Sequence, residues 1–349
     1  MKKNPFTLKF GQKPLQYISR ITQTREIIED FQSEQCASSV YIITGVRGSG
    51  KTVMMTNILQ NMSQEEDWIV LELNPNRDLL QGLASKLYDE PHMQKLFIQA
   101  KLNLNAFGIG VSSEIVSPIS NIETAIERML EQVKKCGKKV LIAIDEVTNS
   151  ENMRVFASAY QIFLRQDMPL YLLMTGLYDN IYNLQNDKTM TFLYRTPKIL
   201  LEPLNFTAIR DQYKMVFNNS IEEATYMAGL TRGFSFAFQV LGYLYFENRG
   251  KLNLEQLMPQ YDQFLAEYVY EKIWSEMSEI DKKIAYEISQ EKNASIKDLR
   301  LKLDNMSSEK FSVYRDRLKR KGILNTSTYG KLSLALPRFE EFIMSKMVD

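Results

Sequence analysis

Eight consecutive residues, Gly45-Val46-Arg47-Gly48-Ser49-Gly50-Lys51-Thr52, restrict what this chain can become more than any other stretch. A β-branched and aromatic run, Val40-Tyr41-Ile42-Ile43, comes just before them. Val53, Met54, Met55, Ile58 and Leu59 follow at helix-compatible spacing. The local order is therefore strand, glycine-rich turn, helix, which is the setting the P-loop pattern G-x-x-x-x-G-K-[ST] requires. Glycines let backbone N–H groups approach phosphate oxygens, and a helix N-terminus adds partial positive charge. The Lys51 ammonium and the Thr52 hydroxyl complete the set, the second as a ligand for Mg²⁺. Gly45 through Val53 are expected to hold the phosphates of a nucleotide.

The chain has 349 residues, 44% of them hydrophobic, enough for a large core and for two or three domains. Lys and Arg number 43 against 42 Asp and Glu, so only the local distribution of charge bears on nucleic acid. Cys36 and Cys136 have neither metal-ligand spacing nor Cys or His neighbours, and no zinc site is expected. Residues 1–14 are basic without an apolar core, unlike a secretory signal. The longest uncharged apolar run, residues 233–246, is shorter than the roughly 18 residues of a membrane span. A cytoplasmic protein without a membrane segment is the expectation.

Residues 18–31 carry Ile21, Ile27, Ile28 and Phe31 at helical spacing. Tyr17, Ile18 and Arg20, just upstream of the first strand, either pack near an adenine or belong to a helix that covers the sheet. Trp68 to Leu73 reads as a strand stopped by Asn74-Pro75-Asn76, and residues 77–88 as a helix. Over residues 102–120, Leu102, Leu104, Phe107, Ile109 and Val111 alternate around Gly108 and Gly110 and end at Ser117-Pro118, the pattern of an inserted hairpin or loop. His92, the only histidine, follows Pro91 in a polar segment and reads as a surface residue. Residues 123–135 form an amphipathic helix closed by Cys136-Gly137-Lys138-Lys139.

Val140-Leu141-Ile142-Ala143-Ile144-Asp145-Glu146 is a fully apolar run ending in two carboxylates, the mark of a buried parallel strand with acids at its ligand-binding edge. Asp145 is placed to hold Mg²⁺ opposite Thr52, directly or through water, and Glu146 to polarise a water toward a γ-phosphate. Residues 150–166 are helical. A further strand, residues 169–176, ends on Thr175, whose hydroxyl is a candidate sensor of the γ-phosphate or the attacking water. After a helix over 178–185, residues 192–201 lead into a fifth strand. Arg195 ahead of it reads either as an arginine finger for a neighbouring subunit's nucleotide or as a surface ion pair.

Together, Gly45 to Thr52, Ile144-Asp145-Glu146, Thr175 and Arg195 resemble the additional-strand, catalytic-glutamate (ASCE) P-loop NTPases. Within these the chain is similar to the AAA+ and archaeal-ATPase/STAND group, including members that join such a motor to a DNA-binding winged helix. The resemblance implies an α/β fold with a parallel sheet of order 5-1-4-3-2, and ATP rather than GTP, since no N-K-x-D motif follows. It implies a small helical lid in residues 205–248, with helices over 206–217, 220–230 and 234–246. In the turn Leu230-Thr231-Arg232-Gly233-Phe234, Arg232 takes the place of a second sensor.

Residues 254–274 read as a long connecting helix. Beyond them, Ile280, Ile284 and Ile288 mark one helix, Ser295-Ile296-Lys297-Asp298-Leu299 opens a second, and Ser307-Ser308-Glu309-Lys310 opens a third that runs to Gly322. Two short strands flank Thr328-Tyr329-Gly330-Lys331. Three helices and a hairpin wing make a winged helix-turn-helix. Between Lys310 and Lys331 there are seven basic residues (Lys310, Arg315, Arg317, Lys319, Arg320, Lys321, Lys331), and Asp316 is the only acid. Ser308, Lys310, Ser312 and Arg315 are the expected groove-facing side chains. The domains expected are an ATPase core (1–204), a lid and connector (205–274) and a winged helix (275–349). The function expected is an ATPase using ATP and Mg²⁺ that couples nucleotide state to double-stranded DNA binding or to homo-oligomer assembly. The alternative is a nucleotide-controlled signalling or defence scaffold whose winged helix binds a protein partner.

Overall fold

Four apolar runs become strands with most side chains buried on both faces: β1 (Val40–Thr44), β2 (Trp68–Leu73), β3 (Lys139–Ile144) and β4 (Leu170–Gly176). A short edge strand, β5 (Lys198–Leu200), joins them. The computed structural model describes residues 3–9, 14–100, 102–109, 119–188, 190–291 and 293–347. All five strands are parallel, in the order β2-β3-β4-β1-β5. This is the order the resemblance implied. Parallel neighbours need crossovers, supplied here by helices. They are α2 (Lys51–Met62), α3 (Leu79–Asp89), α4 (Pro91–Gln99), α5 (Ile122–Lys135), α6 (Glu151–Arg165) and α7 (Tyr178–Gln185), while α1 (Ile21–Gln32) precedes β1 and packs beside α2.

The register fixes the functional edge. Ile43 is level with Thr175, and Ile144 with Met174, so β1, β3 and β4 finish side by side. Helix α4 is not evident from sequence, because its stripe is only Met93 and Phe97, both buried; His92 lies exposed on it. In residues 102–109 the alternating pattern does not make a strand. Asn105–Phe107 form a 3₁₀ turn closed by Gly108 at φ +70°, and Leu104 and Ile109 drop into the core. The alternation comes from a chain doubling back, with the Ile109 amide donating to the Leu104 carbonyl. Gly110, Val111, Ser117 and Pro118 of the expected hairpin lie outside the described residues.

The chain divides into two compact units. The sheet and its helices (21–44 and 51–200) form one; residues 1–20, 45–50 and 201–349 form the other. The second unit begins with the lid helices α8 (Phe206–Phe217), α9 (Ile221–Thr231) and α10 (Ser235–Glu247). Next come α11 (Leu254–Leu265), a π-helical segment (Ala266–Tyr270) and α12 (Glu271–Ser275), which run on as the connector. The C-terminal module consists of α13 (Glu279–Ser289), β6 (Ala294–Ser295), α14 (Ile296–Lys302), α15 (Ser308–Arg320), β7 (Leu324–Asn325), β8 (Lys331–Leu334) and α16 (Phe339–Met347). Its antiparallel sheet runs β6-β8-β7, a winged helix with a first strand and a last helix that the sequence pattern does not reveal. β6 is only two residues long, and α16 hides behind Pro337.

One buried ion pair organises this module. Asp281, 1% exposed, closes a capping box with Ser278 and accepts from Arg317 Nη2 at 2.6 Å. Arg317 is thereby removed from the basic residues assigned to nucleic acid.

The N-terminal segment is a second departure from the sequence reading, which weighs it only by charge. Phe6 is 2% exposed, with its ring 5.6 Å from Phe217 and 5.5 Å from Phe238. Gly242 makes the room: a Cβ there would lie 2.5 Å from the Phe6 ring. Asn4 Nδ2 donates to the Tyr243 carbonyl at 3.2 Å and the Thr7 amide donates to Gln239 Oε1, which pins the arm on both sides of the plug; Gln239 Nε2 also donates to the Gln16 carbonyl. Phe6→Ala should destabilise the chain by about 3–5 kcal/mol, the range for emptying a buried aromatic site, as read by urea unfolding followed by circular dichroism.

Candidate functional site

At the ends of β3 and β4 three hydroxyl and carboxylate groups close on one another. Thr52 Oγ1, in the first turn of α2, donates to Asp145 Oδ2 at 2.8 Å. Thr175 Oγ1 donates to Asp145 Oδ1, and the Glu146 amide donates to Asp145 Oδ1 at 3.0 Å and to Thr175 Oγ1 at 3.2 Å. Both oxygens of Asp145 are thus held, which fixes the plane of its carboxylate. Glu146 has φ +54°, a left-handed conformation uncommon outside glycine. The turn uses its N–H inside the cluster while the residue itself is exposed. Lys51 opens the same helix and is 9% exposed.

Thr175 is fully buried, and the one proton of its hydroxyl is engaged by Asp145. Its hydroxyl holds Asp145 and accepts from the Glu146 amide, so within the cluster it positions both acids.

The loop 45–50 is held from outside by its carbonyls. Gly48 O accepts from the Phe236 amide at 3.1 Å, and Ser49 O accepts from Ser235 Oγ at 2.9 Å and Arg20 Nη2 at 3.3 Å. A trans peptide sets its N–H opposite its C=O, so these bonds also fix the direction of the next amides, Ser49 and Gly50. Gly48 and Gly50 have φ of +80° and +94°, and a Cβ on Gly48 would lie 2.7 Å from Phe234 Cζ. Arg20, a candidate for the adenine side, bonds instead to the loop, and burial pulls its pKa down against the opposing pull of Tyr17 and Glu202.

Two further candidates stand elsewhere. Arg195 is exposed at the end of a 3₁₀ turn, Thr191–Tyr194, three residues ahead of β5. Because β5 begins level with Ile42, Arg195 lies where strands enter the sheet, on the side away from Asp145. Within one chain it does not join Thr52, Asp145 and Glu146. Arg232, at φ +45°, donates through Nη1 to the carbonyls of Leu334 and Leu336, each at 3.0 Å, and to Glu340 Oε1 at 2.9 Å. These bonds tie the lid turn to the C-terminal module. No periodicity announces such a bond between residues a hundred positions apart.

Residues 24–164 match the family model of an ATPase domain found predominantly in Archaea. Over these residues the chain carries a P-loop ATPase domain. Solved structures extend the likeness beyond the matched residues. A Walker-type ATPase of Pyrococcus abyssi (paby2304) is 15% identical, covers 94% of this chain and 96% of its own, and superposes with a TM-score of 0.65. The ORC2 protein of Aeropyrum pernix, in ADPNP–ADP complexes, is 12% identical over 98% of each chain with a TM-score of 0.62. At these identities the likeness is one of fold. No curated protein matches the sequence.

The residues at this edge of the sheet suit Mg²⁺. That ion keeps several waters and takes one or two protein oxygens together with phosphate oxygens. Thr52 and Asp145 offer such a pair, and among the described residues no three His, Cys, Asp or Glu side chains are grouped to hold a metal by themselves. Thr175→Val keeps the volume of the side chain and removes the hydroxyl that orients Asp145. ATP turnover should fall about 10- to 100-fold, the usual range for losing such a supporting group, with partial recovery in Thr175→Ser, measured across a magnesium titration.

Proposed function

We propose that this ATPase is a nucleotide-driven switch. In it the phosphates held by Gly45 to Val53 govern the C-terminal winged helix, and through it the binding of double-stranded DNA or assembly with further copies. Lys51 neutralises the β/γ-phosphates, Thr52 and Asp145 hold Mg²⁺, and Glu146 accepts the proton of the attacking water. Thr175 orients the two acids, and Arg195 serves a neighbouring subunit. Magnesium draws charge from the phosphate oxygens when bound; what this chain itself supplies is the orientation of the ligand oxygens and a base next to them.

The observation that carries the coupling is a single turn with two grips. Ser235 and Phe236 hold the phosphate-loop carbonyls, while Arg232 in the same turn holds Leu334, Leu336 and Glu340 of the C-terminal module. Val46 of the loop also faces Gly322, two residues past the end of α15, where an added Cβ would lie 3.1 Å from Val46 Cβ. A loop that rearranges around phosphate therefore disturbs both grips. The size of the switch equals the difference in ATP affinity between the two arrangements, and tight binding to both would move nothing.

Duplex DNA is favoured as the target by charge. From residue 317 to 339 there is no acid, and Lys310, Lys319, Arg320 and Lys331 are exposed. The scaffold reading rests on one observation, the apolar exposure of Val313 (63%) and Leu301 (57%).

Lys51→Ala should lose nucleotide binding, whereas Glu146→Gln should bind ATP and fail to turn it over; filter binding and phosphate release separate the two, and normal hydrolysis in both variants would refute the site. Replacing Lys310, Arg315 and Lys319 together by Ala should weaken duplex binding and reduce the slope of log K against log salt by about 0.9 for each phosphate that is no longer neutralised. A gel shift titrated with salt, with and without ATP, reads this; unchanged retention would favour a protein partner.

A further inference from the structure

Between the lid and the C-terminal module the connector changes its helical pitch. From Ala266 to Tyr270 it is π-helical, and the Glu271 amide donates to the Ala266 carbonyl, five residues back instead of four. Such turns are rare and occur mostly as single insertions in α-helices, frequently at functional positions. The sequence shows why one forms here. α11 buries Leu257, Tyr261 and Leu265 at α spacing. Continued from Leu265, an α-helix would bring Val269, Lys272 and Glu276 to the core, four, seven and eleven residues on. Val269 is buried, but Lys272 and Glu276 are exposed, and the stripe runs on through Tyr270, Ile273 and Met277, each one place later. The connector therefore holds one residue more than the α period allows, and the π turn absorbs it.

The extra residue lets one helix serve two partners. Tyr268 keeps the register of α11: its ring stacks on that of Phe264 at 5.7 Å and 7°, and lies 5.9 Å from the ring of Phe236 in α10. Phe236 is the residue whose amide holds the Gly48 carbonyl of the phosphate loop. Tyr270 opens the register of α12. It is 1% exposed, with its hydroxyl on the Pro337 carbonyl and its ring 4.9 Å from Phe339 and 5.6 Å from Phe342 of α16. In an unbroken α-helix with Tyr268 still on Phe264, Tyr270 and all that follows would be turned about 100° around the axis, away from Phe339 and Phe342.

We propose that the π turn is a joint that carries nucleotide state from the phosphate loop to α16, with Tyr268 as its input and Tyr270 as its output. A π turn can move along a helix because each step exchanges one bond spanning five residues for one spanning four, leaving the number of backbone bonds unchanged. Displacement of Phe236 together with the Gly48 carbonyl moves Tyr268, the offset shifts by a residue, and Tyr270 turns out of its contacts with Pro337, Phe339 and Phe342. The inference rests on the switch reading above and deepens it, by naming an element with two discrete arrangements that the nucleotide biases.

Trp274 reports the output, because it follows the joint in α12 and its ring lies 6.2 Å from that of Phe342. Trp68, the other tryptophan, belongs to β2 and is replaced by Phe so that Trp274 emits alone. In that full-length parent, Trp274 fluorescence should shift between ADP and ADPNP, each with Mg²⁺. Tyr268→Ala should bind both nucleotides and lose the shift, while Tyr268→Phe, which keeps the ring, should retain it. Deleting Glu267, an exposed residue of the turn, should restore α spacing and also abolish the shift. If Tyr268→Ala, folded by circular dichroism, shows the shift of the parent, the joint falls and the switch stands. Loss of nucleotide binding in Tyr268→Ala would overturn the joint too, by making the ring a support of the phosphate loop. A parent that binds both nucleotides without any shift also overturns it, and the switch then stands or falls on whether ADPNP alters duplex retention in the gel shift.

Discussion

The catalytic edge depends on how one carboxylate is oriented. Asp145 could face many ways at the end of an apolar strand; two threonine hydroxyls and one amide leave it a single plane. Each donor comes from a different part of the sheet unit: Thr52 from the helix after β1, Thr175 from the tip of β4, Glu146 from the turn after β3. The parallel register is therefore a requirement of the chemistry. A slip of one residue between β3 and β4 would turn Thr175 to the other face and leave Asp145 with one fewer donor.

In the other unit the comparable task is done by bonds from side chains to carbonyls. Arg232 bridges Leu334, Leu336 and Glu340, Arg338 grips Asp262 through both carboxylate oxygens, and the Tyr270 hydroxyl donates to the Pro337 carbonyl. All converge on residues 334–340, the strip between wing and last helix. A carbonyl left without a donor in such a partly buried strip costs on the order of 1–3 kcal/mol, so the strip moves as one piece or not at all. That is the behaviour a two-state element needs.

Much of this is legible without coordinates. The phosphate loop, the acidic pair after β3, Thr175 at the tip of β4 and the strand order follow from local pattern and family resemblance, because glycine spacing and apolar runs are written in consecutive residues. What sequence does not supply are meetings between distant positions. The bonds of Arg232 to Leu334, Leu336 and Glu340, and of Arg317 to Asp281, join residues too far apart for a local pattern to announce. Phe6 and Leu8 form too short an apolar stretch to announce a socket built from Phe217, Phe238 and Gly242, more than two hundred residues on. The alternation near residue 105 misleads for the converse reason: a tight turn also brings every second or third side chain to one side.

The plug formed by Phe6 has a consequence for how the molecule is made. Thr7 and its partner Gln239 are 232 residues apart, so the arm leaves the ribosome on the order of ten seconds or more before its socket exists. During that interval the sheet unit can assemble around its own core while the arm stays unseated. Completion of the lid then becomes a late event that joins this arm to helices synthesised some two hundred residues after it, and a product truncated before α10 would leave an aromatic side chain with no place to go.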